Sequence, residues 1–185
     1  VPLDDDTTKD LHTGVGRFAI VDMKPMTLYE SGDSNGKISL NDLLNGKRDI
    51  DGIKSTLDYE RIATVLCRGG WPNAIGLADD VSESVAKNYL NVLCQSDISR
   101  VDGVKKDPDL ARAILRAYAR QTSTIDSDKS MYDDIRSNYA LVSEATIANY
   151  IKILKRLYII EDIEAWNPNI RSKTAIRTSP KKAFV

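Results

Sequence analysis

Apolar residues fall at helical spacing through the middle of the chain. Leu57, Ile62, Val65 and Leu66 form one stripe, closed by Gly69-Gly70, and the pair Trp71-Pro72 prevents its continuation. Val85, Tyr89, Val92 and Leu93 share a face of a second helix, from about Asp80 to Gln95. A third carries Leu110, Ile114, Leu115 and Tyr118 and ends near Gln121. Its start signal is Asp107 as N-cap with Pro108 at the first helical position, where proline lacks only an N–H that would go unpaired anyway. Upstream, Ser39 caps a short helix, Leu40 to Leu44, which Asn45-Gly46 ends. Lys47 to Ser55 reads as a charged linker.

The period changes at both ends. Residues 1–13 are polar and acidic and read as a loop, Arg17 to Met23 as a largely buried strand, and Gly32-Asp-Ser-Asn-Gly36 as a turn cluster. Past residue 126 a separate module is predicted. Ser127 or Asp128 caps a helix through about Asn138, Tyr139 to Val142 connects, and Ser143 caps a helix over Glu144 to Leu157. Ile147, Tyr150, Ile151, Leu154 and Tyr158 share one side of that stretch. Ile159 to Trp166 then alternates as a strand, Asn167-Pro-Asn turns, and Lys173 to Arg177 and Lys182 to Val185 are candidate return strands. Helix, turn, helix and β-hairpin is the outline of a winged helix. The fold class predicted is mainly α: a helical bundle plus a C-terminal winged helix (helix-turn-helix with β-hairpin), with a short strand near the N-terminus. The segments divide at 1–52, 53–126 and 127–185.

Composition narrows the function classes. A chain of 185 residues that is 42% hydrophobic can bury a core. With 29% charged residues and no apolar run near about 18 residues, a soluble protein is predicted, not a membrane span. Cys67 and Cys94 sit in apolar helical contexts and read as two buried thiols in a reducing cytoplasm, the expected location. His12 is the sole histidine, so neither a metal site nor a histidine-activated Ser or Cys is expected. Asp4-Asp5-Asp6 reads as a solvated loop and Asp79-Asp80 as a helix N-terminus.

The net charge of −1 is unevenly spread: residues 1–60 hold 7 bases and 12 acids, while the last fifteen residues hold Arg171, Lys173, Arg177, Lys181 and Lys182 with no acid. That basic end either meets phosphates or is the solvated face of a hairpin. In a helix-turn-helix the second helix enters the major groove by its N-terminal residues. Here that helix opens with Glu144, Ala145 and Thr146, with Asn149, Lys152, Lys155 and Arg156 further along. Glu144 stabilises the helix dipole but repels phosphates. Two readings stand. In one, the module packs within its own protein as a rigid spacer or lid. In the other, it holds DNA through Lys152, Lys155, Arg156 and the basic wing of Arg171, Lys173 and Arg177. Trp71, after Arg68-Gly-Gly, either plugs a helix junction or lines a ligand pocket.

Several runs occur in a characteristic order: His12-Thr-Gly-Val-Gly-Arg17, Met23-Lys-Pro-Met-Thr-Leu-Tyr-Glu-Ser-Gly-Asp-Ser-Asn-Gly36 with Ile38-Ser-Leu40, Arg68-Gly-Gly-Trp-Pro72, Tyr89-Leu90 with Asp97-Ile98, and Ser179-Pro-Lys-Lys-Ala-Phe-Val185. Their order and spacing resemble AAA-superfamily predicted ATPases of bacteria and archaea whose C-terminal half is a domain of unknown function. The chain contains no Gly-x-x-x-x-Gly-Lys-Ser/Thr loop. The resemblance therefore implies an interior slice: residues 1–52 as the end of the ATPase core, 53–126 as a helical lid, and 127–185 as the winged helix. A domain resembling restriction endonucleases is expected beyond residue 185. ATP and Mg²⁺ are then cofactors of the parent protein, with none expected for this fragment, and catalysis of its own is not expected. Arg17 is carried over as a nucleotide-side arginine able to reach a phosphate, against the plainer reading of an ion pair with Asp22 or Glu30. The rest of the parent chain is the expected partner, with nucleic acid as the alternative. A homo-oligomer through the open edge of the Phe18–Met23 strand is a third expectation.

Overall fold

The computed structural model describes residues 21, 23–124, 128–164 and 180–185. The protein is mainly helical, with a small two-stranded antiparallel sheet near its C-terminal end. Contacts group the described residues into two compact units, 21–91 and 92–185. This single division, at 91/92, differs from the three segments read from sequence.

In the first unit, helix α1 spans Leu40–Leu44, α2 Tyr59–Arg68 and α3 Asp79–Val92, with a 3₁₀ turn at Pro72–Ala74. Ser39 caps α1 as predicted, accepting from the Asp42 N–H at 3.3 Å, and Asp58 caps α2 by accepting from the Arg61 N–H at 2.8 Å. The stripe predicted for α2 is corrected. Of its members only Val65 is buried; Ile62 and Leu66 are exposed, and so is Cys67. The helix instead turns Val65 and Arg68 inward. The cause lies in another segment: Asp33 accepts from Arg68 Nη2 at 2.7 Å and from Arg61 Nη2 at 3.2 Å, two cations separated by two helical turns.

Gly69 ends α2 with φ +69°, a left-handed conformation that favours glycine. Gly70 is needed for space. Its carbonyl accepts from the Met26 N–H at 3.0 Å, and a Cβ there would stand 2.7 Å from the Met26 carbonyl oxygen and 2.7 Å from the Pro25 Cβ. Gly70→Ala is expected to cost about 1–3 kcal/mol through this overpacking. Loss of amide protection at Met26 checks it, and an unchanged Met26 would refute it. Trp71, itself exposed, meets Tyr89 with ring centroids 4.7 Å apart and planes tilted by 53°.

In the second unit a π-helical turn, Leu93–Asp97, follows α3 and leads into the short α4, Ile98–Arg100. The extra residue per turn shifts the helical phase. Leu93, Cys94 and Ile98 are buried, while Val92, predicted to share a face with Leu93, is exposed. Helix α5, Pro108–Arg120, keeps all four predicted core residues, Leu110, Ile114, Leu115 and Tyr118, buried. Asp107 caps it, accepting from the Asp109 N–H at 2.9 Å. Helix α6 spans Asp128–Asn138, and α7 spans Glu144–Arg156 behind its Ser143 cap. On α7, Ile147, Tyr150, Ile153 and Leu154 enter the core. Tyr158 does not: the helix stops at Arg156, and Tyr158 turns left-handed at φ 56° and is exposed.

Strands β1, Ile160–Ile163, and β2, Lys181–Phe184, pair antiparallel with Ile160 opposite Phe184 and Ile163 opposite Lys181. Lys182 also bridges Thr122 and accepts from the Ser123 N–H at 2.9 Å, tying β2 to the chain just past α5. The predicted strand Arg17–Met23 lies largely outside the described residues; its described members, Val21 and Met23, are exposed and in no strand. The candidate return strand Lys173–Arg177 lies outside them entirely.

Candidate functional site

The cations predicted to meet phosphates are placed only in part. Arg17, Arg171, Lys173 and Arg177 lie outside the described residues. Lys152, Lys155 and Arg156 stand on the last turns of α7 and line, with Ala148, Ile151 and Tyr158, a shallow hollow of about 480 Å³. Lys152 is exposed and Arg156 half-buried. Lys155 is engaged by the carboxylate of Asp162 on β1. At the opposite end of α7, Glu144 is exposed and pairs with Arg136 of α6 at 3.4 Å. The surface that would face a DNA groove therefore opens with an acid and places its bases at the far end of the helix.

On β2 the two lysines differ. Lys181 is exposed, whereas Lys182 is buried, with its ammonium 2.7 Å from Asp128 at the start of α6 and 6.0 Å from the centre of the Tyr118 ring. The Tyr118 hydroxyl donates to the Glu161 carbonyl at 2.8 Å and lies 3.3 Å from Asp162. Burial, reinforced by the Asp162 carboxylate, pushes that hydroxyl well above the usual phenol range, so it remains a donor. Nearby, Gln121 Oε1 is buried with no hydrogen-bond partner among the described residues. A second buried lysine, Lys106, bonds Asp102 at 2.6 Å and sits 5.8 Å from the Tyr150 ring centre. That bond holds the Asp102 carboxyl below its ordinary range. The Tyr150 hydroxyl accepts from the Asp107 N–H at 2.8 Å, seating the start of α5 on α7.

Two charged clusters were not read from the sequence. One is Asp33 with Arg61 and Arg68, where Arg61 also reaches Asp79 at 3.0 Å. Asp33 takes a third bond, from Ser31 Oγ at 2.7 Å. The Arg68 bond foremost, then that of Ser31, lowers the Asp33 carboxyl below its ordinary range. The other is a groove of about 440 Å³ between α5 and α6, lined among others by Arg112, Arg116, Arg120 and Asp134. Its signal was available in the sequence as arginines four residues apart, a spacing that puts them on one helix face. The Asp33 cluster had no such signal, because its partners come from distant segments.

The structure thus defines a class: a mainly helical protein with a small antiparallel sheet. The chain belongs to the family described as Domain of unknown function (DUF8612), whose model matches residues 59–185. No curated protein and no solved structure matches it. The family description names no activity, substrate or partner.

Proposed function

We propose that this chain is an interior, non-catalytic segment of a cytoplasmic AAA-type ATP-binding protein, in which the helices and a winged-helix module respond to nucleotide chemistry performed elsewhere in the parent. The ordered sequence runs that resemble such ATPases motivate the identity. The winged-helix reading draws support from α6 and α7 joined by a short turn and followed by the β1–β2 pair. In this reading ATP and Mg²⁺ belong to the parent, and Arg17 is the residue that would approach a phosphate.

One observation favours internal packing of the module over DNA contact. Of the cations assigned to DNA contact Lys155 is engaged by Asp162, the neighbouring basic side chain Lys182 is held by Asp128, and the N-terminal turn of α7 presents Glu144. Releasing such lysines for phosphates would leave their acids unpaired, which erodes the counterion-release gain that drives DNA binding.

Two measurements on the 185-residue protein test this. Magnesium-dependent ATP hydrolysis is expected to stay at background, and measurable turnover would overturn the non-catalytic assignment. Fluorescence anisotropy with a labelled duplex is expected to show only weak binding, in the range of about 10⁻⁴–10⁻⁶ M typical of non-specific contact. Tight binding with a steep loss in salt, abolished by neutralising Lys152, Lys155 and Arg156 or Arg171, Lys173 and Arg177, would establish the DNA-binding alternative instead.

A further inference from the structure

Helix α2 is amphipathic the wrong way round, a feature independent of the function proposed above. Asp33 draws Arg61 and Arg68 to the side of the helix that faces the protein, where Val65 also lies. The opposite side carries Tyr59, Ile62, Ala63, Leu66 and Cys67, all exposed and none charged. Tyr59 is 93% exposed, Leu66 80% and Ile62 49%. At about 100° per residue these five positions fill one continuous arc of about 140°. A surface helix ordinarily turns such an arc toward its own core and its charges toward water. Beside the arc lies an apolar hollow of about 380 Å³, lined among others by Met26, Leu28, Leu57, Ile62 and Leu66.

We propose that this face is the contact between two copies of the chain, with their α2 helices antiparallel across a two-fold axis near Ile62 and Ala63. The same helix carries both a knob and a hole. The knob is Tyr59, the most exposed aromatic side chain among the described residues, and the hole is the hollow beside Ile62 and Leu66. Tyr59 and Leu66 are about 10 Å apart along the helix axis. In an antiparallel pair each Tyr59 therefore falls on the Leu66 and the hollow of the other copy, and Ile62 falls on its own equivalent. A two-fold contact needs such a self-complementary patch, used once by each copy. An unrelated partner that filled the hole would leave Tyr59 in water. Ala63, small and central on the arc, lets the two axes approach to the roughly 8–10 Å of packed helices. The size fits as well. The arc with Leu28 offers roughly 500 Å² of apolar surface per copy. A pair then buries about 1,000 Å², the threshold for a specific interface. No basic residue stands on the arc to receive a phosphate, which sets nucleic acid aside.

Sedimentation velocity of the whole chain from about 5 μM to 1 mM is expected to show a monomer–dimer equilibrium with a Kd of about 10–100 μM, the weak range suited to so small an interface. Leu66→Glu sets a carboxylate against apolar surface twice over, and is expected to raise that Kd at least about tenfold. Tyr59→Ala removes the knob, at a position whose ring the monomer leaves in water, and is expected to raise it at least about tenfold too. Leu141→Glu, at a fully exposed position of the other unit, is expected to change nothing. Cys67 locates the contact. With Cys94 buried, a maleimide reads Cys67 alone, and its labelling is expected to slow as the dimer forms. A single monomeric species up to about 1 mM overturns the proposal. So does a dimer undiminished by Leu66→Glu and Tyr59→Ala, or Cys67 labelling that ignores dimer formation. Either of these assigns self-association to another surface, such as the edge of the Phe18–Met23 strand. Growth beyond a dimer overturns it as well, because a two-fold contact closes on itself.

Discussion

Replacing Asp33 with alanine is expected to unfold the 21–91 unit while leaving the 92–185 unit folded. Arg68 is buried to 5% exposure, and Asp33 is its charge partner at 2.7 Å. Removing one member of a buried ion pair strands the other's charge, at a cost of about 3–5 kcal/mol. The unit has little else to absorb that loss: among its described residues the buried apolar side chains are Val65 and Ala74. Native-state hydrogen exchange reads the result by element. Amides of α2 should lose protection, and those of α5 and α7 should keep it. Equal loss in both units, or no loss in α2, would refute the assignment of Asp33 as the pin of this unit.

The same residue gives the unit an acid limit. Because the folded-state pKa of Asp33 is depressed, its contribution is fully present above the unfolded value of about 3.9 and is lost as pH falls through the lower folded value. Protection in α2 should therefore collapse at acid pH before that of α5. Asp33→Asn strands the Arg68 charge as well, so α2 should then lack protection at neutral pH and show no acid transition of its own.

What the sequence made legible follows from the range of the forces involved. Helix α5 was readable almost to the residue. Asp107 and Pro108 are local start signals, and Leu110, Ile114, Leu115 and Tyr118 repeat at the period of the helix they build. Ser39 and Ser143 were readable for the same reason, since a cap bonds an N–H only three residues away. The buried face of α2 was not. Periodicity pointed to Ile62 and Leu66, yet an acid 35 residues before Arg68 turned a charged face inward. The π turn at Leu93–Asp97 also escaped the reading, because its phase shift follows from packing rather than from a breaker residue. For the candidate site, the position of Lys152, Lys155 and Arg156 on one helix end followed from their spacing. Their partners were not foreseeable, because Asp162 meets Lys155 only after β1 folds back on α7. The arginine ladder of α5 was visible in the spacing, but its meaning depended on which face α6 would cover.

Tyr118→Ala is the second large effect, and it tests how the C-terminal strands are held. The Tyr118 side chain joins α5 to both of them. Its ring meets Phe184 of β2 edge-on with centroids 5.5 Å apart, and its hydroxyl reaches the Glu161 carbonyl of β1 at 2.8 Å. At 1% exposure it is the largest fully buried side chain among the described residues, so truncation should cost about 3–5 kcal/mol, the range for aromatic-to-alanine changes in cores. Tyr118→Phe separates the contributions. It keeps the ring and removes only the donor, so it should cost about 1 kcal/mol. Urea unfolding of the two variants gives the comparison, with an unchanged slope confirming that each still unfolds from the same compact state. If alanine costs no more than phenylalanine, ring packing does not anchor the strands. If alanine costs the larger amount, β1 and β2 should lose amide protection first, because a two-stranded sheet is marginal in water without a face to pack on. That face is α5, and Lys182, buried between Tyr118 and Asp128, should become exposed when the ring is gone.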